Sequence, residues 1–391
     1  MKIRLKNFSR FAPVLVALVL NWFICPSAIA GAFHAISSSN APRYGHTATL
    51  LADGRVLLVG GINIYSTDLD MDGRINISAE LYDPSHGKWH NTGALDIARM
   101  GHTATLLSDG KVLVVGGGGY HGILSSAEIY NPVTGTWTVT AALKAARFCH
   151  TATLLRDGRV LVAGGYDLGT GVYLTGTEIY DLSTWTWTET GALHSGRQDS
   201  TATLLPSGKV LIVGGTGNGG FLASAEIYDP SNGTWITTGS LGIARSLHTA
   251  TLLPDGRVLV VGGDSNSGVT NGAELYNPST GVWTATGALK IGRQNHTATL
   301  LPDGKVLVAG GLNPRFIAAL SSAEIYDPST GTWTATDDLK CGRFNHTATL
   351  LDNGKVLLTG GLAYDLLIGF HTLSKAETYE PPAMSVRMNH P

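Results

Sequence analysis

The sequence predicts an all-β chain in which seven copies of one four-stranded antiparallel unit close into a ring. Three observations carry this. A glycine doublet recurs seven times, at Gly60-Gly61, Gly116-Gly117, Gly164-Gly165, Gly214-Gly215, Gly262-Gly263, Gly310-Gly311 and Gly360-Gly361. A tyrosine keeps step after each doublet: Tyr82, Tyr130, Tyr180, Tyr228, Tyr276, Tyr326 and Tyr379. A short turn precedes each doublet: Asp53-Gly54, Asp109-Gly110, Asp157-Gly158, Ser207-Gly208, Asp255-Gly256, Asp303-Gly304 and Asn353-Gly354. Each unit takes roughly fifty residues, and self-similarity at such a period marks repeats that bury their faces against one another.

The copy that opens at Arg293 shows the elements. His296 to Leu301 is β-branched and apolar and suits a strand. Pro302-Asp303-Gly304 then reverses the chain, proline presetting φ and glycine accepting the left-handed position. Lys305 to Ala309 carries an unbroken apolar run that ends in Gly310-Gly311, as expected of a strand covered on both faces. After a variable loop, Ser322 to Tyr326, with Glu324, is the third strand. Asp327 to Gly331 is a turn, and Thr332 to Thr336, with Trp333, is the fourth strand.

The fourth-strand tryptophan occurs only six times, at Trp89, Trp137, Trp187, Trp235, Trp283 and Trp333; the last unit runs instead into Glu380-Pro381-Pro382. Phe33 precedes Arg43 by the same interval that separates Trp283 from Arg293. Residues 32–38 are therefore expected to supply the missing strand, closing the ring between the two termini and removing its exposed edges.

The doublet, the spaced Tyr and Trp and the seven-fold count resemble the kelch family over residues 31–381. That resemblance implies a seven-bladed kelch-type β-propeller with four antiparallel strands per blade, the last blade closed by the N-terminal strand. It also implies that first strands line a central channel. It implies no single activity, because one fold hosts many.

Residues 1–30 read differently from the repeats. Lys2, Arg4, Lys6 and Arg10 precede a largely apolar Phe11 to Ile24, and Ala28-Ile29-Ala30 offers a cleavage site. This pattern predicts a secretory signal peptide, a mature chain beginning at Gly31, and a secreted or periplasmic location. An uncleaved anchor is the other reading, disfavoured because the apolar stretch is short for a membrane span. Residues 382–391 form a C-terminal tail. Removing the leader takes away four of the 27 basic and none of the 29 acidic residues, leaving a charge near −6. No basic run survives, which argues against nucleic acid or an anionic membrane as partner. After leader cleavage no membrane insertion is expected, and the mature protein is expected to be a monomer. Only Cys149 and Cys341 remain there; an oxidising compartment would permit a disulfide, but two cysteines make no framework.

Antiparallel order sends the 4→1 and 2→3 connections to one face and the tight hairpins to the other. The 2→3 loops vary while the hairpins do not, which predicts the working face. Tyr120, Tyr166, Phe221, Phe316 and Tyr364 in those loops are candidate aromatic contacts. Each unit also carries one arginine before the first strand (Arg43, Arg99, Arg147, Arg197, Arg245, Arg293, Arg343) and one third-strand glutamate (Glu80, Glu128, Glu178, Glu226, Glu274, Glu324, Glu377). They could form a cationic ligand ring, but equal numbers favour structural pairing. The histidines His46, His102, His150, His248, His296 and His346 are expected to be structural also. Blade four departs from the pattern with Gln198-Asp199-Ser200, a contact for a ligand or mere drift.

The longest 2→3 loop contains Asp68-Leu69-Asp70-Met71-Asp72-Gly73-Arg74-Ile75-Asn76. Acids at positions one, three and five, glycine at six and an oxygen side chain at nine resemble calcium loops, with the Arg74 carbonyl completing the shell. A structural Ca²⁺ held by Asp68, Asp70, Asp72, Arg74 and Asn76 is expected, against the alternative of a solvated acidic loop. The usual acid at position twelve is absent, Ala79 standing there.

The R-x-x-H…DGxVLxxGG form further resembles the propeller of galactose oxidase and its relatives, copper-radical enzymes. Cys149 matches the position of their crosslinked cysteine, but its tyrosine partner would fall on Asp199. None of the pairs that follow the repeat arginines is Tyr-His, and the chain ends at Pro391 without the domain that brings the last histidine. No copper is expected. Asp199, Arg315, Asp365 and His371 are the loose candidates for a sugar mutarotase or epimerase. The favoured expectation is an exported, non-catalytic module that binds an extracellular protein or glycan on its 2→3 loop face.

Overall fold

The computed structural model describes residues 31–64, 75–316, 319–367 and 369–382. Seven four-stranded antiparallel sheets follow one another around a closed ring. Blade 1 is built from Thr47–Leu50, Val56–Val59, Ala79–Asp83 and Lys88–Asn91. Blade 6 repeats it with Thr297–Leu300, Val306–Ala309, Ala323–Asp327 and Thr332–Ala335. In blade 7 the outer strand is Ala32–Ile36, paired with Ala376–Glu380 so that Phe33 stands opposite Tyr379. Their rings lie 4.9 Å apart, the same contact that Tyr276 makes with Trp283. The chain therefore closes itself with its N-terminal strand, as its register predicts.

The core sits between blades, not within them. Leu259 and Val261 of blade 5 pack against Val306, Val308 and Tyr326 of blade 6. The equivalent cluster at the closing boundary joins Val56 and Tyr82 of blade 1 to Leu351, Leu357 and Ala376 of blade 7. Second strands such as Val306–Ala309 are wholly buried because both of their faces meet a neighbouring sheet. Each fourth strand is tied to the next blade: Thr286 Oγ1 lies 2.8 Å from Tyr326 OH, and Trp333 Nε1 donates to Gly287 O of blade 5. At the boundary between blades 7 and 1, Trp89 Nε1 donates to Ser37 O, just past the N-terminal strand.

The doublets are required by close approach. Gly214 and Gly215 both have positive φ, and a Cβ on Gly214 would lie 2.6 Å from Arg245 O and 2.8 Å from His248 Cε1 of the next blade. A side chain there would wedge two blades apart. Among the described residues no helix is long and apolar enough to cross a membrane.

Candidate functional site

The seven arginines are buried and each pairs with the glutamate of its own blade, at 2.5–3.0 Å. In blade 6, Arg293 Nη1 donates to Gly310 O and Ser322 O, and Nη2 donates to Glu324 Oε1. In blade 4 the second oxygen of Glu226 accepts from the His194 backbone N–H at 2.8 Å, while Oε1 also accepts from Ser195 N–H. Each pair therefore clamps three segments: the 4→1 connection, the doublet and the third strand. The carboxylates and guanidinium groups are consumed internally, which removes them as ligand contacts.

The histidines form a belt around the channel. His102 Nε2 lies 2.9 Å from Thr47 Oγ1 of blade 1, and the same inter-blade bond links His150 to Thr103, His248 to Thr201, His296 to Thr249, His346 to Thr297 and His46 to Thr347. Burial, then the neighbouring arginine charge, lowers the pKa of His46 and His150 to about 3. They stay neutral at physiological pH, so none is a proton carrier there. The belt is broken once. Ser200 replaces histidine in blade 4, its Oγ is buried without a partner, and Thr151 turns to Ala163 O instead.

Above this belt lies a second ring that the sequence analysis missed. Gly45, Gly101, Cys149, Asp199, Leu247, Asn295 and Asn345 all have φ between 50° and 64°. At six blade boundaries the N–H of one donates to the carbonyl of the preceding blade, as from Asp199 to Cys149 O at 3.1 Å and from Asn345 to Asn295 O at 3.0 Å. Three Gly or Asp/Asn residues would signal nothing, but five at one repeat position is the composition of a left-handed site.

Asp199, Ser200, Asn295 and Asn345 then line a cavity of about 230 Å³ at the channel mouth, with Leu247, His248, His296 and His346. Burial first, then the nearby Asp199 charge, pushes the Cys149 thiol well above its usual pKa. Burial also raises Asp199. Such a pair holds its proton and supplies no thiolate nucleophile at neutral pH. Cys149 and Cys341 are both free thiols.

The candidate aromatic residues are spread over the loop face. Tyr120 OH donates to Ile75 O, tying blade 2 to blade 1. Tyr166 stacks on Tyr173 across a two-stranded hairpin, with ring centroids 4.9 Å apart. Phe221 pairs with Thr216 in a similar hairpin. Tyr364 meets Phe370 edge-on in a longer hairpin, Leu362–Asp365 with Gly369–Thr372, where Phe370 also abuts Phe344. Phe316 stands exposed beside Arg315 at the edge of a groove between blades 5 and 6. Asp199 lines the channel mouth and Arg315 that groove, and neither cavity includes Asp365 or His371. The four loose catalytic candidates are not brought together in either cavity.

Of the calcium-loop residues, Asp68, Asp70, Asp72 and Arg74 lie outside the described residues. Asn76 donates its backbone N–H to Gly61 O, and its side-chain nitrogen is buried without a partner. Among the described residues no three His, Cys, Asp or Glu side chains converge as a metal site.

Comparison with known proteins agrees with this architecture. No curated protein matches the chain in sequence. Among solved structures, a copper-bound fungal alcohol oxidase of the AA5 family is similar at a TM-score of 0.73 and 18% identity, over 90% of this chain and 77% of that chain. The likeness is one of fold. The model of the KLHDC2/KLHL20/DRC7 Kelch-repeats domain matches residues 45–252 and 190–361. These matches take in most of the ring, and the chain belongs to that kelch-repeat family, with a seven-bladed β-propeller as its fold.

Proposed function

We propose that this propeller is an exported binding module that takes a protein or glycan ligand on its 2→3 loop face, without catalysis. One observation carries the reading. The repeated polar groups are spent on holding blades together, whereas the loop face presents unlike side chains, including exposed Tyr120, Phe316 and Phe370. Exposed aromatic residues on a rigid frame supply contact area at little entropic cost. The neutral histidines and the proton-holding Cys149–Asp199 pair offer no activated base or nucleophile near neutral pH.

A sugar mutarotase or epimerase is the second reading. The polar channel mouth favours it, because burial raises Asp199 towards the range of a general acid. Screening the purified protein on a glycan array and for extracellular protein partners, beside a mutarotation assay, separates the two. Ligand capture abolished by loop-face substitutions supports the module; turnover lost in Asp199→Asn supports the enzyme and overturns the first reading.

Export and calcium belong to the same proposal. The leader pattern of residues 1–30 supports cleavage after Ala30, which N-terminal sequencing of the secreted protein tests by finding Gly31 first. The alternating acids Asp68, Asp70 and Asp72, with Gly73 and Asn76 in calcium-loop spacing, support a structural Ca²⁺. Calcium titration of Asp70→Ala beside the parent protein decides the site, identical heats refuting it.

A further inference from the structure

We propose that the groove between blades 5 and 6 on the loop face is a binding site for a carboxylated sugar, a hexuronate unit of an acidic glycan. The proposal rests on the binding-module reading and names its ligand class. The groove is a cavity of about 480 Å³, within the size range of small-ligand sites. Its walls come from four segments: the 2→3 loops of blades 5 and 6, the 4→1 connection between those blades, and Ile243 of the preceding connection.

Charge selects an anion. The chain has more acidic than basic residues, yet among the described residues no Asp or Glu lines the groove, while Lys290 and Arg315 both do. Two cations in a concavity without acids concentrate negative ligands. An arginine fork can meet both oxygens of a carboxylate. Arg315 is also a departure from the repeat. It stands four residues after its doublet, where the other blades carry Tyr65, His121, Gly169, Gly219, Ser267 and Asp365.

The rest of the groove selects a sugar over a bare anion. Phe316, 49% exposed, adjoins Arg315 and offers a flat apolar face to the C–H side of a pyranose ring. Ser267 and Asn271 line the facing loop and can donate to and accept from hydroxyl groups. The polar residues behind them fix the geometry. Buried Asn313 accepts from the Arg315 backbone N–H at 3.0 Å and donates to Gly292 O at 2.8 Å, tying the Arg315 loop to the segment that carries Lys290. Ser265 Oγ donates to Gly268 O and accepts from Ser267 N–H, holding the opposite wall. The site is thus set before a ligand arrives.

The test is calorimetric titration of the full chain with digalacturonate and diglucuronate, against neutral digalactose and inorganic phosphate. A uronate should bind at least tenfold more tightly than the neutral disaccharide. Arg315→Gln should weaken that binding tenfold or more, and Lys290→Gln several-fold. Phe316→Ala should weaken uronate binding and leave phosphate unchanged. All three side chains are solvent-facing, so thermal melts should match the parent and exclude misfolding. Equal affinity for neutral sugar, full binding by Arg315→Gln, or phosphate as tight as uronate with Phe316→Ala silent would overturn the assignment. If no uronate binds but another glycan or a protein is captured by the loop face, this inference falls and the binding-module reading stands. If the face captures nothing, both fall.

Discussion

Mild acid should remove most of this propeller's stability, through its histidine belt. Six belt histidines are buried: His46, His102, His150, His248, His296 and His346. Burial, then the adjacent arginine, brings His46, His150 and His248 to about 3 and the other three well below their usual value. In the unfolded chain each titrates near 6.5. The folded pKa is lower, so the unfolded state binds protons that the folded state refuses. Stability is full above pH 6.5 and falls as pH drops below it, down to the folded pKa. At pH 5.5 the loss is between about 1 and 2 kcal/mol per histidine, set by the unfolded pKa once the folded one lies well below that pH. For the six together it is about 8 kcal/mol, comparable with the ~5–15 kcal/mol by which ordinary domains are stable. Asp199, raised by burial, works the other way, but as one group against six it offsets little. Urea unfolding followed by tryptophan fluorescence at pH 7.5, 6.5 and 5.5 measures the effect, and the slope at pH 5.5 should correspond to uptake of about five protons. A change below about 2 kcal/mol between pH 7.5 and 5.5 would refute the account, showing that the belt protonates in place or opens to water.

Four further perturbations test the same geometry. Ser200→His should complete the belt, its Nε2 reaching Thr151, and stabilise the protein at pH 7.5 by about 1 kcal/mol; a lower melting temperature would show that the gap has no room for the ring. Arg245→Met leaves Glu274 charged and buried, so it should cost about 3–5 kcal/mol in chemical denaturation, and a cost under about 1 kcal/mol would mean that the clamp is not structural. Phe33→Ala empties the contact with Tyr379 at the closing strand and should cost about 3–5 kcal/mol, while deletion of residues 31–42 should lower the melting temperature sharply; an unchanged melt in either variant would mean that the ring closes without this strand.

The architecture was legible because each signal occurs about seven times. A single Gly-Gly is ambiguous, but seven in step with Tyr and Trp leave little freedom, and the displaced register of Phe33 locates the closing strand. Pairing of Arg with Glu followed from their equal numbers; its backbone donors did not, since His194 and Ser195 N–H are placed by tertiary geometry. The left-handed ring was half-legible. Gly45, Gly101, Asp199, Asn295 and Asn345 favour that conformation, whereas Cys149 and Leu247 take it against a preference worth roughly 1 kcal/mol. Inter-blade hydrogen bonds hold them there, and no local pattern could reveal that. Arg315 and Phe316 stood out singly, but their groove with Lys290 and Asn313 did not, because Lys290 comes from a separate segment with no fixed spacing to them. The acidic loop from Asp68 to Arg74 was legible as a motif and lies outside the described residues.

Symmetry itself argues where function resides. A ring of seven similar blades needs the same clamp, belt and aromatic pair at every boundary, so residues present at every boundary are accounted for by closure. A ligand without that symmetry must be recognised by residues present once. The seven buried Arg–Glu pairs sharpen this division, because they fix the roots of the 2→3 loops to the frame. Loops so anchored lose little freedom on binding, and the affinity of a small contact is correspondingly less diluted by ordering. The unique features then separate by chemistry. At the channel mouth burial raises both Asp199 and the neighbouring Cys149, and the blade 7 hairpin exposes Leu366 and Leu367 almost completely. The blade 5–6 groove joins two cations, an aromatic face and fixed polar walls in one concavity. A proton-holding pair and an apolar tip can each serve one kind of contact; the groove meets a ligand's charge, its apolar face and its hydroxyl groups at once, which is what selective recognition of an acidic sugar demands.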